Sequence, residues 1–257
     1  MRVRELGRGS STVLLLHGAP SPADDLLPLA EHLATRYRVL VPDMPGYGDT
    51  PGGGDLSYAA TNHRLADMLR SRAISALHGI VGFSGGAFRA FYLLLRSQIT
   101  AKHVLSIGGL AGHGPSEREQ FHGLAAMVRA DPSSLTSPAL VQMMAERMLS
   151  PTWRADHPAD AARAAAWLTL TSPADMAAEL DAAVLADDLR PLLPTIKART
   201  HVRVGELDQA CPVALSQAIA SAVPNATLSI VPGAGHALLI EDADATIAWV
   251  DAALRDA

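Results

Sequence analysis

Three residue types, placed far apart in this chain, could share one chemistry. Gly82-Phe83-Ser84-Gly85-Gly86 fits the pattern G-x-S-x-G. In that pattern a sharp strand-to-helix turn strains the serine and leaves its hydroxyl exposed at the edge of a sheet. A glycine-rich turn that only needs positive φ would carry the same letters, so context must separate the two. A hydroxyl is a weak nucleophile at neutral pH until a base takes its proton. His236 has the setting for that base, in the Gly-rich loop Val231-Pro232-Gly233-Ala234-Gly235-His236 after the last apolar run. His32, His63 and His122 fall inside helical stretches instead. A third group must hold the imidazole tautomer and stabilise the imidazolium. Asp208, in Gly205-Glu206-Leu207-Asp208, suits that role, although it would also cap a helix beginning at Pro212. Glu206, two residues earlier, is the alternative.

These residues need a scaffold that brings strand ends together. Short apolar runs alternate with helix-period stretches, the pattern of βαβ units and a mostly parallel sheet. Strands are expected at Thr12 to Leu16, Tyr37 to Val41, His78 to Phe83, Val104 to Ile107, His201 to Gly205 and Ala226 to Val231. Ser21 is expected to cap a helix with Pro22 at its first position. Further core helices are expected at Tyr58 to about Ala76, Gly85 to Ser97, 213–222 and 243–254. Ser84 then ends a strand and opens a helix, as the motif requires.

Between residues 111 and 190 the rhythm changes. No strand is evident, and helices are expected at 116–130, 134–149, 159–170 and 173–187, the first opened by a Ser116/Glu119 capping box. The expected architecture is therefore an α/β core over 1–110 and 191–257, carrying a helical cap over 111–190.

Composition removes several function classes. A net charge of −5 gives no electrostatic footprint for nucleic acid. The early apolar run from Val13 to Leu16 is far too short for a signal-peptide core or a membrane span, so a soluble, cytoplasmic protein is expected. The single cysteine, Cys211, excludes an intramolecular disulfide. No H-E-x-x-H and no paired cysteines occur, so no catalytic metal and no cofactor are expected. Gly46-Tyr47-Gly48 lacks the dinucleotide-binding spacing and is explained by a turn.

Taken in order, several features resemble the α/β-hydrolase fold family, in particular its cap-bearing esterase and lactonase-like members. They are the His17-Gly18 turn, Asp43, Gly46 and Gly48, the Ser84 motif, Asp188-Leu189-Arg190, Gly205-Glu206-Leu207-Asp208 and Gly233-Ala234-Gly235-His236. The resemblance implies a mostly parallel central sheet with helices on both faces and a Ser84–Asp208–His236 triad. It also implies an oxyanion hole from the backbone N–H groups of Ala19 and Gly85, and a substrate pocket between core and cap. The chain departs from the pattern in three places. There is room for only one strand before Thr12. Gly85 stands where a larger side chain is commoner, and Ala19 where many relatives carry an aromatic one. Ser84 also sets the chain apart from the epoxide hydrolases and haloalkane dehalogenases of this family, whose nucleophile is Asp.

The expected reaction is hydrolysis of a small, apolar or mildly polar ester or lactone through an acyl-enzyme. Pocket candidates are Pro20, Phe83, Phe121, Met127, Met144, Met148, Trp153 and Trp167. The cap methionines either line an adaptable pocket or pack the cap helices together. Alternatives are hydrolysis of a carbon–carbon bond, cofactor-free perhydrolase or haloperoxidase-like chemistry, and a signal-binding protein that turns over slowly. Monomer and homodimer both stay open.

Overall fold

The computed structural model describes residues 1–255, so the last two positions of the 191–257 core segment lie outside the described residues. Seven strands form one sheet: β1 (Val3–Leu6), β2 (Thr12–Leu16), β3 (Arg38–Pro42), β4 (Ala76–Phe83), β5 (Thr100–Ile107), β6 (Arg199–Gly205) and β7 (Thr227–Val231). Their order is β1-β3-β2-β4-β5-β6-β7, with β1 antiparallel to β3 and every other pairing parallel. One strand precedes Thr12, filling the room the sequence leaves.

Eleven α-helices accompany the sheet among the described residues. They are α1 (Leu27–Leu33), α2 (Tyr58–Arg70), α3 (Gly85–Arg96), α4 (Pro115–Ala130), α5 (Pro138–Met148), α6 (Pro151–Asp156), α7 (Pro158–Ala166), α8 (Pro173–Val184), α9 (Val213–Ala222), α10 (Leu238–Glu241) and α11 (Ala243–Arg255). Side chains alternate between the faces of a strand. Leu14 and Leu16 of β2 therefore join Leu65, Phe88, Phe91 and Ile219 on one face of the sheet, under α2, α3 and α9. Val13 and Leu15 join Leu29, Leu33, Val250 and Leu254 on the other, under α1 and α11. Burial on both faces explains why the central strands read as continuous apolar runs.

Helices α4 to α8 occupy the chain between β5 and β6, and their own apolar cluster includes Val128, Leu140, Met144, Trp167 and Leu180. Several local expectations are corrected here. The helix expected to run to about Ala76 stops at Arg70, because Ala73 takes a positive φ of 57° and Ile74 N–H returns to the Leu69 carbonyl at 3.0 Å. Residue 76 already belongs to β4. Ser21 does not cap a helix. Pro22 sits at the cap of a 3-10 turn, Ala23–Leu26, that leads into α1. Ser116 and Glu119 do not form a capping box either, since α4 begins one residue earlier, at Pro115, with Gly114 at its cap. Helix α6 and the break at Ser137 were not foreseen. No helix of the described residues is long and apolar enough to cross a membrane.

Candidate active site

Ser84 ends β4 and caps α3, with φ 54° and ψ −123°. A non-glycine residue in this region is strained and persists only when its surroundings over-determine it. Two of those surroundings are visible. Ser84 N–H donates to the Ile107 carbonyl of β5 at 2.9 Å, and the Ala87 amide donates to the Ser84 carbonyl at 2.9 Å. Gly86 then allows α3 to lie against the end of β2: a Cβ there would stand 2.1 Å from the Leu16 carbonyl oxygen.

The neighbouring strand ends supply the other two predicted residues. Asp208 follows β6, and His236 follows β7 in its loop; both are buried. His236 Nδ1 lies 2.7 Å from Asp208 Oδ2. The second carboxylate oxygen accepts the backbone N–H groups of Ala210 (2.9 Å) and Cys211 (2.7 Å). Both lobes of the carboxylate are therefore engaged, which fixes its orientation. Gly108, one residue beyond the partner of Ser84 N–H, runs against this pair: a Cβ there would meet His236 Nδ1 at 3.0 Å and Asp208 Oδ2 at 3.2 Å. Glu206, the alternative acid, turns away and accepts Gly233 N–H at 2.9 Å on the outside of the loop.

Ala19 and Gly85 face each other beside the serine. A Cβ on Gly85 would lie 3.8 Å from Ala19 N, and Gly85 occupies the first turn of α3, where amides lack helical partners. His17 shapes the turn that carries Ala19. Its Nε2 accepts Met44 N–H at 3.0 Å, which leaves Nδ1 to donate to the Gly18 carbonyl at 2.8 Å. Burial lowers its pKa, so the neutral ring that makes both bonds is favoured.

A cavity of about 650 Å³ opens over Ser84 and runs beneath the helices between β5 and β6. Pro20, Phe121, Met127, Met144 and Met148 line it, together with Ala19 and Gly85. Three predicted pocket residues do not. Phe83 precedes Ser84 on the strand, so alternation turns its ring to the other side, 4.9 Å from the His236 ring. Trp167 is buried in the helical cluster and contributes, with Phe83, to a separate small cleft near Asp25. Trp153 stacks on His157 at 3.8 Å and donates its indole N–H to Asp160 at 3.1 Å.

Met143 and Met176, two further methionines of the 111–190 segment, extend the cavity's apolar wall. The cavity also contains residues that sequence reasoning missed. Tyr58, Glu179, His113 and Cys211 add polar groups. Burial beside Asp208 pushes the pKa of the Cys211 thiol up, so it stays protonated. The spacing of Cys211, three residues after Asp208, was the available signal. A second groove of about 800 Å³, lined by residues such as Arg70, Arg96 and Asp187, shares no residue with this cavity. Among the described residues, no group of three or more His, Cys, Asp or Glu stands close enough to hold a metal ion.

The model of the alpha/beta hydrolase family matches residues 13–249. The chain belongs to that family. A pimeloyl-[acyl-carrier protein] methyl ester esterase of Edwardsiella ictaluri is 27% identical over 241 residues, covering 91% of this chain and 89% of the relative. Among solved structures, an esterase from Thermogutta terrifontis superposes with a TM-score of 0.89 at 22% identity, over 99% of this chain and 92% of the other. The enol-lactonase from Burkholderia xenovorans superposes with a TM-score of 0.87 at 22% identity, over 99% and 96%. At such identities the two structures speak for the fold. Within it, this alpha/beta hydrolase family member gathers Ser84, Asp208 and His236 from the ends of three strands at one edge of the sheet.

Proposed function

We propose that this protein is a serine hydrolase that cleaves a carboxylic ester or lactone of a small molecule. Ser84 attacks the carbonyl carbon, and His236 takes the hydroxyl proton. The amides of Ala19 and Gly85 hold the developing oxyanion, aided by the positive end of the α3 dipole. His236 then protonates the leaving oxygen, and a water activated by the same imidazole releases the acid. Asp208 does not take the proton: it orients the ring through Nδ1 and stabilises the imidazolium.

The observation that carries this reading is the buried 2.7 Å His236–Asp208 pair at the strand edge where Ser84 is held at positive φ. The cavity supports an organic, largely apolar substrate, since its wall is rich in Met and Leu. The methyl ester named for the Edwardsiella relative is of the same bond class. Residues 111–190 are taken as the cap that closes the cavity and selects the acyl chain.

The test is hydrolysis of aryl esters of increasing acyl length, with lactones alongside, by wild type and Ser84→Ala. Turnover by wild type that falls by about 10⁶ in the variant is expected. Absence of turnover in both would refute the ester reading.

A further inference from the structure

The cavity wall beside the serine contains a built polar cluster amid apolar surface. Arg89, on the helix that Ser84 opens, donates to both oxygens of Glu179 of α8, at 2.9 and 3.0 Å. Its other terminal nitrogen donates to Thr61 Oγ1 at 2.5 Å, and its guanidinium lies 4.5 Å from the centre of the Tyr58 ring. Tyr58 is near enough to Glu179 for that carboxylate to act on its hydroxyl electrostatically. All four side chains are buried, yet Tyr58 and Glu179 line the cavity. The Tyr58 hydroxyl lies 3.9 Å from where a Gly85 Cβ would stand, on the same spot that faces Ala19 N.

A carboxylate offers about four acceptor sites. Arg89 takes two, which leaves acceptor sites on Glu179 and the lone pairs of the Tyr58 oxygen for the cavity. What these groups can receive is a donor. An ammonium would have to enter beside the Arg89 guanidinium and shed its water, and a carboxylate would meet Glu179. A neutral hydroxyl has neither difficulty. Burial and the Glu179 charge raise the Tyr58 pKa, so the phenol keeps its proton.

We propose that Tyr58 and Glu179 form a subsite for a hydroxyl on the acyl chain of the substrate, placed on the second or third carbon counted from the scissile carbonyl. The position follows from proximity: a carbonyl oxygen held by Ala19 and Gly85 leaves Tyr58 within reach of substituents one or two carbons away. Arg89 does not contact substrate; it positions Glu179. This inference rests on the ester-hydrolase reading and narrows its substrate to hydroxyacyl esters.

The test compares kcat/KM for a butyryl and a 3-hydroxybutyryl ester of the same aryl alcohol, in wild type and Tyr58→Phe. A site built to bond a hydroxyl discriminates against the analogue that lacks it. Wild type is expected to prefer the hydroxylated ester by about tenfold or more, and Tyr58→Phe to bring the ratio near one. Hydrolysis of both esters by wild type without that preference overturns the subsite and leaves the hydrolase reading standing. A preference unchanged in Tyr58→Phe does the same. If wild type hydrolyses neither ester, the hydrolase reading itself falls, and the subsite with it.

Discussion

Asp208 carries the most specific expectation at the scale of single residues. With one oxygen on His236 and the other held by two amides, its role in the proposed mechanism is to select a tautomer. Asp208→Asn keeps the shape but presents an N–H group to Nδ1 or loses the bond. A drop in kcat of about 10⁴ is expected, with the fold retained, as read by steady-state kinetics and circular dichroism. A decrease under tenfold would assign the orienting role elsewhere. The placement of Ser84, Asp208 and His236 at strand ends was legible in the sequence because each follows a short apolar run and two lie in Gly-rich turns. Tyr58, Arg89 and Glu179 were not. Their meaning lies in meeting one another, and pairing between residues 89 and 179 leaves no local trace.

At the scale of elements, the core was readable and the insert only in part. Strands buried on both faces and helices with one apolar side announce themselves by period. The insert breaks into short helices instead; three of its helices start at Ser-Pro pairs, and α7 starts at His157-Pro158. Ser137, Ser150 and Ser172 cap α5, α6 and α8, accepting the amides of Leu140, Trp153 and Asp175 at 3.4, 3.3 and 3.1 Å. A serine before proline is a helix-start signal that would have located α5, α6 and α8, though not α7. Ser172→Ala is expected to lower stability by about 1 kcal/mol, measurable by urea denaturation. An unchanged midpoint would mean that the α8 start is held by its tertiary contacts alone.

At the scale of the whole molecule, the buried Arg89–Glu179 pair joins α3 to α8 of the helical insert. Removing one partner strands a buried charge, so Glu179→Ala is expected to destabilise the protein by about 3–5 kcal/mol. Replacing both with apolar residues of similar volume should recover most of that loss. A single variant as stable as wild type would show that the pair is dispensable. Acid sensitivity is a second property at this scale. Burial lowers the pKa of His17, and burial together with Arg118 holds His113 at about 4. An unfolded histidine titrates near 6.5, so the unfolded chain binds more protons between about 6.5 and 4. Stability is then complete above about pH 6.5 and declines as pH falls through that window. Calorimetry should show a lower Tm at pH 5 than at pH 7, with a smaller difference in His113→Gln. Equal Tm values at the two pH values would contradict this.

The central claim is that Ser84 is the attacking group, and trapping the nucleophile tests it without knowledge of the natural substrate. The protein would be incubated with an aryl alkylphosphonate ester, and the site of modification mapped by peptide mass spectrometry. One phosphonate on Ser84, lost in Ser84→Ala and strongly slowed in His236→Ala, is the result this account predicts. Modification at another residue, or none under conditions where the fold is intact, would contradict it.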